Sequence, residues 1–413
     1  MTTESRSAVR RLFVSRVISL TGGAAAFIAL NVMIWERTHS TAWLAAALLL
    51  TFGVEGMAAP FAGALGDRFD RRKLMIISDL AAAAVFLAMA FVQSPGILLP
   101  LAFLSALAEA PFYTASAAAI PNLVAAEDLS WANGMVSLGR NAGIVLGPVL
   151  GGILASSVGA GAVFAANAVS FVVSALFVAS VHRPFSGERD ELADEHHGFR
   201  AGFRYLWADR ILRMLMFAWL IMVFGLGMSM VADLPMVELF GQGSFGYGVV
   251  VAFWGVGTVV GSLLSRRLRA ETERLALVAG LAVVGATAVV AGLSPWFALL
   301  CGAILVMGLG DGTAGVANQG IMQRRTPDAV RSRVAGAMEA CIHGGLAVSY
   351  LIGGPAVRVL RPRGVYIVGG LLALVGSAVA GPTLLGRTWR WTRIETETAI
   401  PAETSEPSEL LLR

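Results

Sequence analysis

Twelve long apolar segments follow one another along the chain, and they restrict its possible folds more than any other feature does. They lie near residues 12–35, 42–66, 74–93, 97–121, 131–157, 160–181, 211–239, 245–265, 274–293, 296–321, 333–357 and 364–386. A helix needs about 20 mostly apolar residues to cross the hydrocarbon core of a bilayer. Charged residues make up only 14% of the chain, whereas about 25% is usual in soluble domains. The sequence therefore predicts an all-α membrane protein of twelve transmembrane helices in a lipid bilayer.

The basic residues are distributed unevenly between the two sides of this predicted bundle. If both termini are cytoplasmic, twenty-six of the thirty-one Arg and Lys residues fall in cytoplasmic segments, four of them in the N-terminal arm. Cytoplasmic loops of membrane proteins carry an excess of Lys and Arg, so we expect that orientation. Because the cations lie in short loops and not on one face, we expect no nucleic-acid partner. The arginine-dominated, alanine-rich composition indicates a bacterial source, and hence a bacterial cytoplasmic membrane.

A weak internal repeat divides the chain into two pseudo-symmetric halves. A shift of 202 residues places Leu107 and Glu109 on Leu309 and Asp311, so two acids inside apolar segments occupy equivalent positions. Transporters that rock two halves about a midplane site have this kind of symmetry.

The expected organisation follows from this repeat. We expect an N-terminal six-helix half at residues 1–182, a cytoplasmic linker at 183–210, a C-terminal half at 211–387 and a disordered cytoplasmic tail at 388–413. Within the linker, apolar residues between Phe199 and Trp207 recur at helical spacing. This spacing predicts an amphipathic helix on the membrane surface.

The connection between the second and third apolar segments combines small and charged residues. It contains Gly63, Gly66, Asp67, Arg68, Arg71, Arg72 and Lys73. The pattern resembles the G-x-L-a-D-R-x-G-R-R loop between helices two and three of major facilitator superfamily transporters, with Asp70 where that family usually has Gly. The resemblance implies a conformational-switch loop, in which Asp67 contacts the helices of the second half and the arginines brace it. A loop that only fixes the topology is the simpler alternative, and the two roles are compatible.

The fifth apolar segment carries a second motif of glycines around a proline. Its residues are Gly143, Gly147, Pro148, Gly151 and Gly152. The motif resembles G-x-x-x-G-P-x-x-G-G of the superfamily's proton-coupled exporters, and short matches at Ile18, Ser78 and Ala132 point to the macrolide-efflux and enterobactin-exporter-like branch. Glycines at this spacing let another backbone approach closely, and the proline bends the helix. The resemblance implies a bent interface helix between the halves; an ordinary close helix crossing is the alternative.

Ionisable residues inside the apolar segments are costly to bury, so each is a candidate for function. The candidates for proton coupling or for lining a cavity are Glu55, Glu109, Arg140, Asp311, Glu339 and His343. A carboxyl group in a partly dry cavity can bind and release a proton near neutral pH. Glu55 and Asp311 have no cation close to them in the sequence, which favours positions facing a cavity.

The other candidates have structural alternatives of comparable weight. Glu109 and Arg140 could simply neutralise each other as a buried pair. Glu339 and His343 lie four residues apart on one helical face, where they form either a proton relay or a polar contact between helices. We expect Asp79 to pair with the arginines of the basic loop.

Together these patterns predict a secondary active transporter with the major facilitator fold. We expect proton-coupled efflux of small amphipathic or hydrophobic compounds by alternating access, from a monomer, with the proton gradient as the energy source and no cofactor. One alternative is a dedicated exporter of one metabolite, such as a siderophore or lipid-like molecule. Another is a membrane binding or regulatory protein that does not transport. No nucleophile–base arrangement, phosphate loop or metal-ligand spacing occurs in the sequence, so we expect neither an enzyme nor a metal site.

Overall fold

The regular structure of the described residues is helical. The computed structural model describes residues 3–54, 65, 69–124, 128–181, 185, 198–269 and 271–386. Its α-helices are α1 Thr3–Thr38, α2 Thr41–Leu48, α3 Arg71–Phe91, α4 Pro95–Leu123, α5 Leu129–Val158, α6 Ala160–Ala179, α7 Gly198–Ala208, α8 Arg210–Glu238, α9 Gly243–Leu264, α10 Glu273–Leu293, α11 Phe297–Arg325 and α12 Asp328–Leu385. One π-helical turn, Leu49–Gly53, continues α2, and a short 3-10 turn, Ser265–Arg267, follows α9.

Ten helices in the described residues are long and apolar enough to cross a membrane, and they account for eleven of the twelve predicted segments. The last two predicted segments form the single helix α12, whose backbone leaves the helical region at Arg361 (φ 65°, ψ 162°). We call residues 328–360 its first arm and residues 362–385 its second arm. The second predicted segment begins as α2 and its π-helical turn, and its remainder lies outside the described residues. The predicted linker contains a helix, α7, and the location of this helix on the membrane surface stays a prediction.

Aspartates fix the beginnings of two helices. Asp70 is the N-cap of α3, and its side chain accepts a hydrogen bond from the Lys73 amide at 2.9 Å. Asp209 caps α8 in the same way through the amides of Ile211 and Leu212. An N-cap carboxylate satisfies amides that have no partner inside the helix, which gives a reason for Asp70 where the family usually has Gly.

The two halves pack by the same scheme. In the first half, α1 packs on α5 and α6, and α3 packs on α4 and α6. In the second, α8 packs on α12, and α10 packs on α11 and α12. Small residues allow these close approaches, as expected between helices in lipid: for example, Gly225 of α8 lies against Gly369 in the second arm of α12.

The connections define the two ends of the bundle. The brief connections at residues 39–40, 92–94, 159, 239–242 and 294–296, together with the bend at Arg361, lie at one end, which we call the short-loop end. The opposite end, which contains Arg71–Lys73 and α7, is called the basic end.

The halves contact each other from the short-loop end to about the middle of the helices. The Thr41 hydroxyl of α2 donates to the Gly354 carbonyl oxygen of α12 at 2.9 Å. In the other contact, α5 packs on α9, where a Cβ atom on Gly152 would lie 3.1 Å from the Ser244 carbonyl oxygen and 3.2 Å from the Gly248 Cα. The described halves are therefore closed against each other at the short-loop end.

Candidate functional site

Part of the basic loop is anchored to the first half. Arg72 donates to the Ala179 carbonyl oxygen at the end of α6, and Arg71 donates to the Phe185 carbonyl oxygen at 3.5 Å. Cations near a helix C-terminus interact favourably with its unpaired carbonyl groups. Lys73 is exposed. The other predicted loop residues, Gly63, Gly66, Asp67 and Arg68, lie outside the described residues, as does Glu55, so the bracing of Asp67 stays a prediction.

The glycine–proline motif of α5 serves two different contacts. Gly143, Gly147 and Gly151 face α1 within the same half: a Cβ on Gly151 would lie 2.6 Å from the Ala25 carbonyl oxygen. Gly152 and the Pro148 carbonyl oxygen instead face Gly248 of α9 in the other half. The motif therefore packs one half internally and also touches the other, and its role as a bent interface helix stays a prediction.

Asp311 lies at the middle of α11 on a side of the helix that faces neither α9 nor α10. Gly308 and Gly312 face α9, whereas Gly310 faces Gly280 of α10. One turn beyond Asp311, Gly315 lies toward α8, where its Cβ would be 3.9 Å from the Trp219 ring.

The Asp311 side chain has no hydrogen-bond or ion-pair partner among the residues that the structure describes, and Asp311 is partly exposed. Glu109 occupies the equivalent place in the first half, since each acid lies fourteen residues after the first residue of its helix, Phe297 or Pro95. Glu109 is also partly exposed, and it has an interaction partner.

Arg16 is a basic residue inside the first predicted apolar segment, although it was counted among the four cations of the N-terminal arm. In the structure it lies within α1, which begins at Thr3. Its guanidinium carbon lies 5.4 Å from the Phe112 ring centroid and 5.0 Å from that of Tyr113, both on α4. Such cation–π contacts can hold an arginine inside a bundle.

Arg140 lies on α5 within electrostatic reach of Arg16, and it is exposed. The predicted neutralisation of Arg140 by Glu109 stays a prediction.

Asp79 was expected to pair with the arginines of the basic loop. Among the described residues, Arg16 of α1 lies within electrostatic reach of it, whereas Arg68 of the loop lies outside them. It is 1% exposed within α3, and it accepts a hydrogen bond from the Ser174 hydroxyl of α6 at 2.6 Å. The Ser15 and Ser174 hydroxyl oxygens lie 2.7 Å apart. The two serines lie far from Asp79 in sequence, which is why the nearby loop arginines were the more obvious partners.

Glu339 and His343 form a local pair on the first arm of α12. His343 Nδ1 donates to the Glu339 carbonyl oxygen at 2.9 Å and lies 3.8 Å from a Glu339 carboxylate oxygen. The Glu339 side chain is 61% exposed. This contact lies within a single helix, so both the proton relay and the polar contact between helices stay predictions.

Asp233 of α8 is an acid that lies among buried tyrosines, and it was absent from the predicted site residues. It accepts a hydrogen bond from the Tyr366 hydroxyl at 2.5 Å, and Tyr247 and Tyr350 lie within electrostatic reach of it. Its partners lie on other helices and as many as 133 positions away in the sequence. The ionisable character of Asp233 inside an apolar segment was the only local signal.

The described helices form a multi-pass membrane bundle whose two halves contact each other at one end. The sequence profile of the Major Facilitator Superfamily matches residues 12–286. The chain belongs to the major facilitator superfamily, whose members are transporters and not enzymes.

Two named relatives illustrate the similarity. Enterobactin exporter EntS of Escherichia coli O1:K1 / APEC is 24% identical over 392 residues, which cover 90% of this chain and 92% of the relative. Multidrug resistance protein MdtG of Proteus mirabilis (strain HI4320) is 34% identical over 158 residues, or 37% of this chain. That alignment spans only 39% of the MdtG sequence.

Solved structures share the fold. A bacterial homolog to the human lysosomal transporter Spinster, in an inward-facing and unoccupied conformation, superposes with a TM-score of 0.71 at 14% identity, covering 94% of this chain and 99% of that one. The nucleoside transporter NupG superposes with a TM-score of 0.71 at 12% identity, covering 93% and 100% of the two chains.

Proposed function

We propose that this protein exports small amphipathic or hydrophobic compounds across a bacterial cytoplasmic membrane by alternating access, driven by proton entry. In this proposal the basic end faces the cytoplasm, as the excess of cations on cytoplasmic loops favours. The substrate binds between the halves, and the protein works as a monomer without a cofactor.

The observation that carries the proposal is the position of Asp311. An intramembrane acid is costly, and such acids commonly mark proton or substrate pathways. Asp311 is partly exposed at the middle of α11 and has no polar partner in the described part of the chain. A carboxyl group in this setting is suited to exchange a proton as its surroundings change, and protonation would then bias the equilibrium between two conformations.

The contacts between the halves support alternating access. In the described residues they include glycine backbones at Gly152 and Gly248, and their polar part includes the hydrogen bond from Thr41. A neutral hydrogen bond contributes only about 0.5–1.5 kcal/mol, so this closure can open without breaking a large polar network.

A dedicated exporter of one metabolite is the second candidate, and the comparisons give it a specific argument. The relative aligned over most of its length is named for export of enterobactin, whereas the relative named for multidrug resistance aligns over 39% of its length. The two candidates differ in the range of compounds transported and not in the mechanism.

Proton release from energised everted membrane vesicles tests the proposal. Antibiotics, dyes and siderophores are added separately while a fluorophore reports the pH gradient. We expect one or more compounds to collapse the gradient with the wild-type protein but not with Asp311→Asn at equal abundance. Glu238→Gln is the matched control, because Glu238 is an exposed acid at the end of α8 and should leave the response unchanged.

The pattern of responses separates the candidates. Responses to chemically unrelated compounds support multidrug export, and a response to one siderophore supports the dedicated exporter. A wild-type response from Asp311→Asn would show that Asp311 does not couple proton entry to export. No response to any compound would contradict proton-coupled export of these compound classes.

A further inference from the structure

Asp233 is surrounded by tyrosines from three other helical segments. Tyr366, on the second arm of α12, donates to Asp233 Oδ1 at 2.5 Å. Tyr247 of α9 and Tyr350 on the first arm of α12 lie within electrostatic reach of the carboxyl group. The Tyr350 hydroxyl also contacts the Met230 sulfur at 3.5 Å, one turn before Asp233. One carboxyl group thus lies where α8, α9 and both arms of α12 meet.

The tyrosines are buried, but Asp233 is not fully enclosed. Tyr247, Tyr350 and Tyr366 are 2%, 0% and 1% exposed, whereas Asp233 is partly exposed. At the short-loop end, the charged residues of α8 and of the helices packed on it are all exposed, namely Glu36, Arg37, Glu238, Arg358, Arg361 and Arg363. Of these, Arg363 lies over the Phe240 ring, 5.8 Å from its centroid. In the described part of the chain, the groups found around the Asp233 carboxyl are the side chains of Tyr247, Tyr350 and Tyr366, and no cation interacts with it.

Two of the tyrosines adjoin the residues that close the short-loop end. Tyr247 immediately precedes Gly248, which packs on Gly152 and Pro148 of α5. Tyr350 lies one helical turn before Gly354, whose carbonyl oxygen accepts the Thr41 hydrogen bond. Two tyrosines of the Asp233 cluster therefore lie on the same helices as the two contacts between the halves, close to them in sequence, so a change at the carboxyl group acts on both helices that make them.

We infer that Asp233 is a proton-binding site whose occupancy determines whether the short-loop end is closed, an inference that rests on the proposed proton-coupled transport. A neutral carboxyl group fits the closed arrangement, because a charged one would lie inside the membrane with one tyrosine donor and no cation among the described residues. Loss of the proton favours separation of α9 and the first arm from the other half, because separation admits water to the carboxylate. Acid therefore closes the short-loop end and alkali opens it.

The distance between the halves at the short-loop end tests this inference without any substrate. Cys301 and Cys341, the only cysteines in the sequence, are replaced by alanine. Spin labels are then attached through Ser156→Cys on α5 and Leu239→Cys after α8, both exposed positions. Electron–electron resonance in lipid nanodiscs measures their separation at about pH 5.5 and about pH 8.5, on either side of the range in which a perturbed carboxyl group titrates.

We expect a short distance in acid and a growing long-distance population in alkali. Asp233→Asn should give the short distance at both pH values, whereas Glu238→Gln, which changes an acid five residues further along the helix, should respond like the parent. Tyr366→Phe keeps the carboxyl group but removes the donor that stabilises its charged form. This variant should move the transition to higher pH by about one unit, which tests the site even if Asp233→Asn fails to fold.

The other possible outcomes also test whether protonation of Asp233 closes the short-loop end. A parent distance that does not change with pH, or an Asp233→Asn protein that opens like the parent, would overturn the inference. A pH-dependent distance that requires Asp233, in a protein that moves no protons in vesicles, would support this site while contradicting the proposed function. Proton-coupled export, together with a pH response that is unchanged in Asp233→Asn, would support the proposed function and contradict the role of Asp233.

Discussion

Thr41 donates its hydroxyl hydrogen to the carbonyl oxygen of Gly354 at 2.9 Å, and so joins α2 to the first arm of α12 across the two halves. The approach depends on the absence of a side chain at Gly354, where a Cβ atom would lie 3.2 Å from the Thr41 carbonyl oxygen. Small residues and one directional hydrogen bond make this contact close but weak, which suits an interface that must open.

The second contact between the halves should be sensitive to one methyl group. A Cβ atom on Gly248 would meet the Pro148 carbonyl oxygen and lie 3.0 Å from the Gly152 Cα, so Gly248→Ala must push α9 away from α5. We expect a longer distance between labels at residues 156 and 239 and a several-fold lower export rate. Gly302→Ala is the control, because a Cβ there would have no neighbour within 4 Å. Wild-type distances and rates for Gly248→Ala would contradict the assignment of this contact.

The buried serine pair should stabilise the first half through Asp79. The Ser174 hydrogen is donated to Asp79, and the other Asp79 carboxylate oxygen has no hydrogen-bond partner in the described structure. Ser174→Ala should therefore lower the free energy of unfolding by about 1–3 kcal/mol, because it removes a hydrogen bond to a buried polar group.

Thermal unfolding in detergent measures the Ser174→Ala effect as a lower midpoint. Ser157→Ala is the control, since Ser157 is exposed and its hydroxyl bonds only to carbonyl groups of its own helix. Equal midpoints for the two variants would show that the Asp79 contact contributes no stability.

Tyr205 should ionise later than an ordinary tyrosine. Burial raises the pKa of Tyr205 above the usual 10.0, nearby Asp209 raises it further, and Arg325 opposes the shift. Its hydroxyl donates to the Arg325 carbonyl oxygen at 3.2 Å and ties α7 to the end of α11. Because the folded-state pKa is the higher one, the stability that Tyr205 contributes is fully present below pH 10 and is lost as the pH rises through the folded-state value.

A spectroscopic titration checks the Tyr205 prediction. Subtracting the phenolate absorbance of Tyr205→Phe from that of the wild type isolates the Tyr205 transition, which should lie above pH 10.0. A transition at or below the ordinary value would contradict the burial of this hydroxyl against α11.

Replacing Arg361 by glycine should stabilise the bend in α12. With φ 65° and ψ 162°, Arg361 occupies a region that is almost restricted to glycine and costs other residues about 1–3 kcal/mol. Glycine lowers this strain but loses more backbone entropy on folding, about 0.5–1 kcal/mol. We expect Arg361→Gly to raise the unfolding midpoint slightly, whereas Arg358→Gly, within the helix three residues earlier, should lower it.

Apolar length was enough to predict most helices, because lipid leaves the backbone few alternatives to a helix. Thus α8, predicted near 211–239, is Arg210–Glu238. Arg361 is different: the sequence predicted a break between two helices but not that one residue would make it.

Long-range polar contacts were not predictable from local spacing. The contacts of Arg16 with the rings of Phe112 and Tyr113 were not predicted, because charge counting does not reveal which rings a guanidinium contacts. Asp233 was left out because its tyrosines come from α9 and the two arms of α12, which only the folded bundle brings together. Asp311 was selected because its isolation from cations is visible in the sequence itself.

Because the bend at Arg361 is a single residue, the two arms of α12 are expected to move together about this point at the short-loop end. One residue separates the arm that touches Thr41 from the arm that carries Tyr366, and a joint so short cannot absorb a displacement as a loop would. A movement that pulls Gly354 away from α2 therefore also reorients the second arm against Asp233. The coupling also works in the opposite direction: a change at the Asp233 carboxyl group moves the second arm, and through the bend it moves the first arm and the Thr41–Gly354 contact.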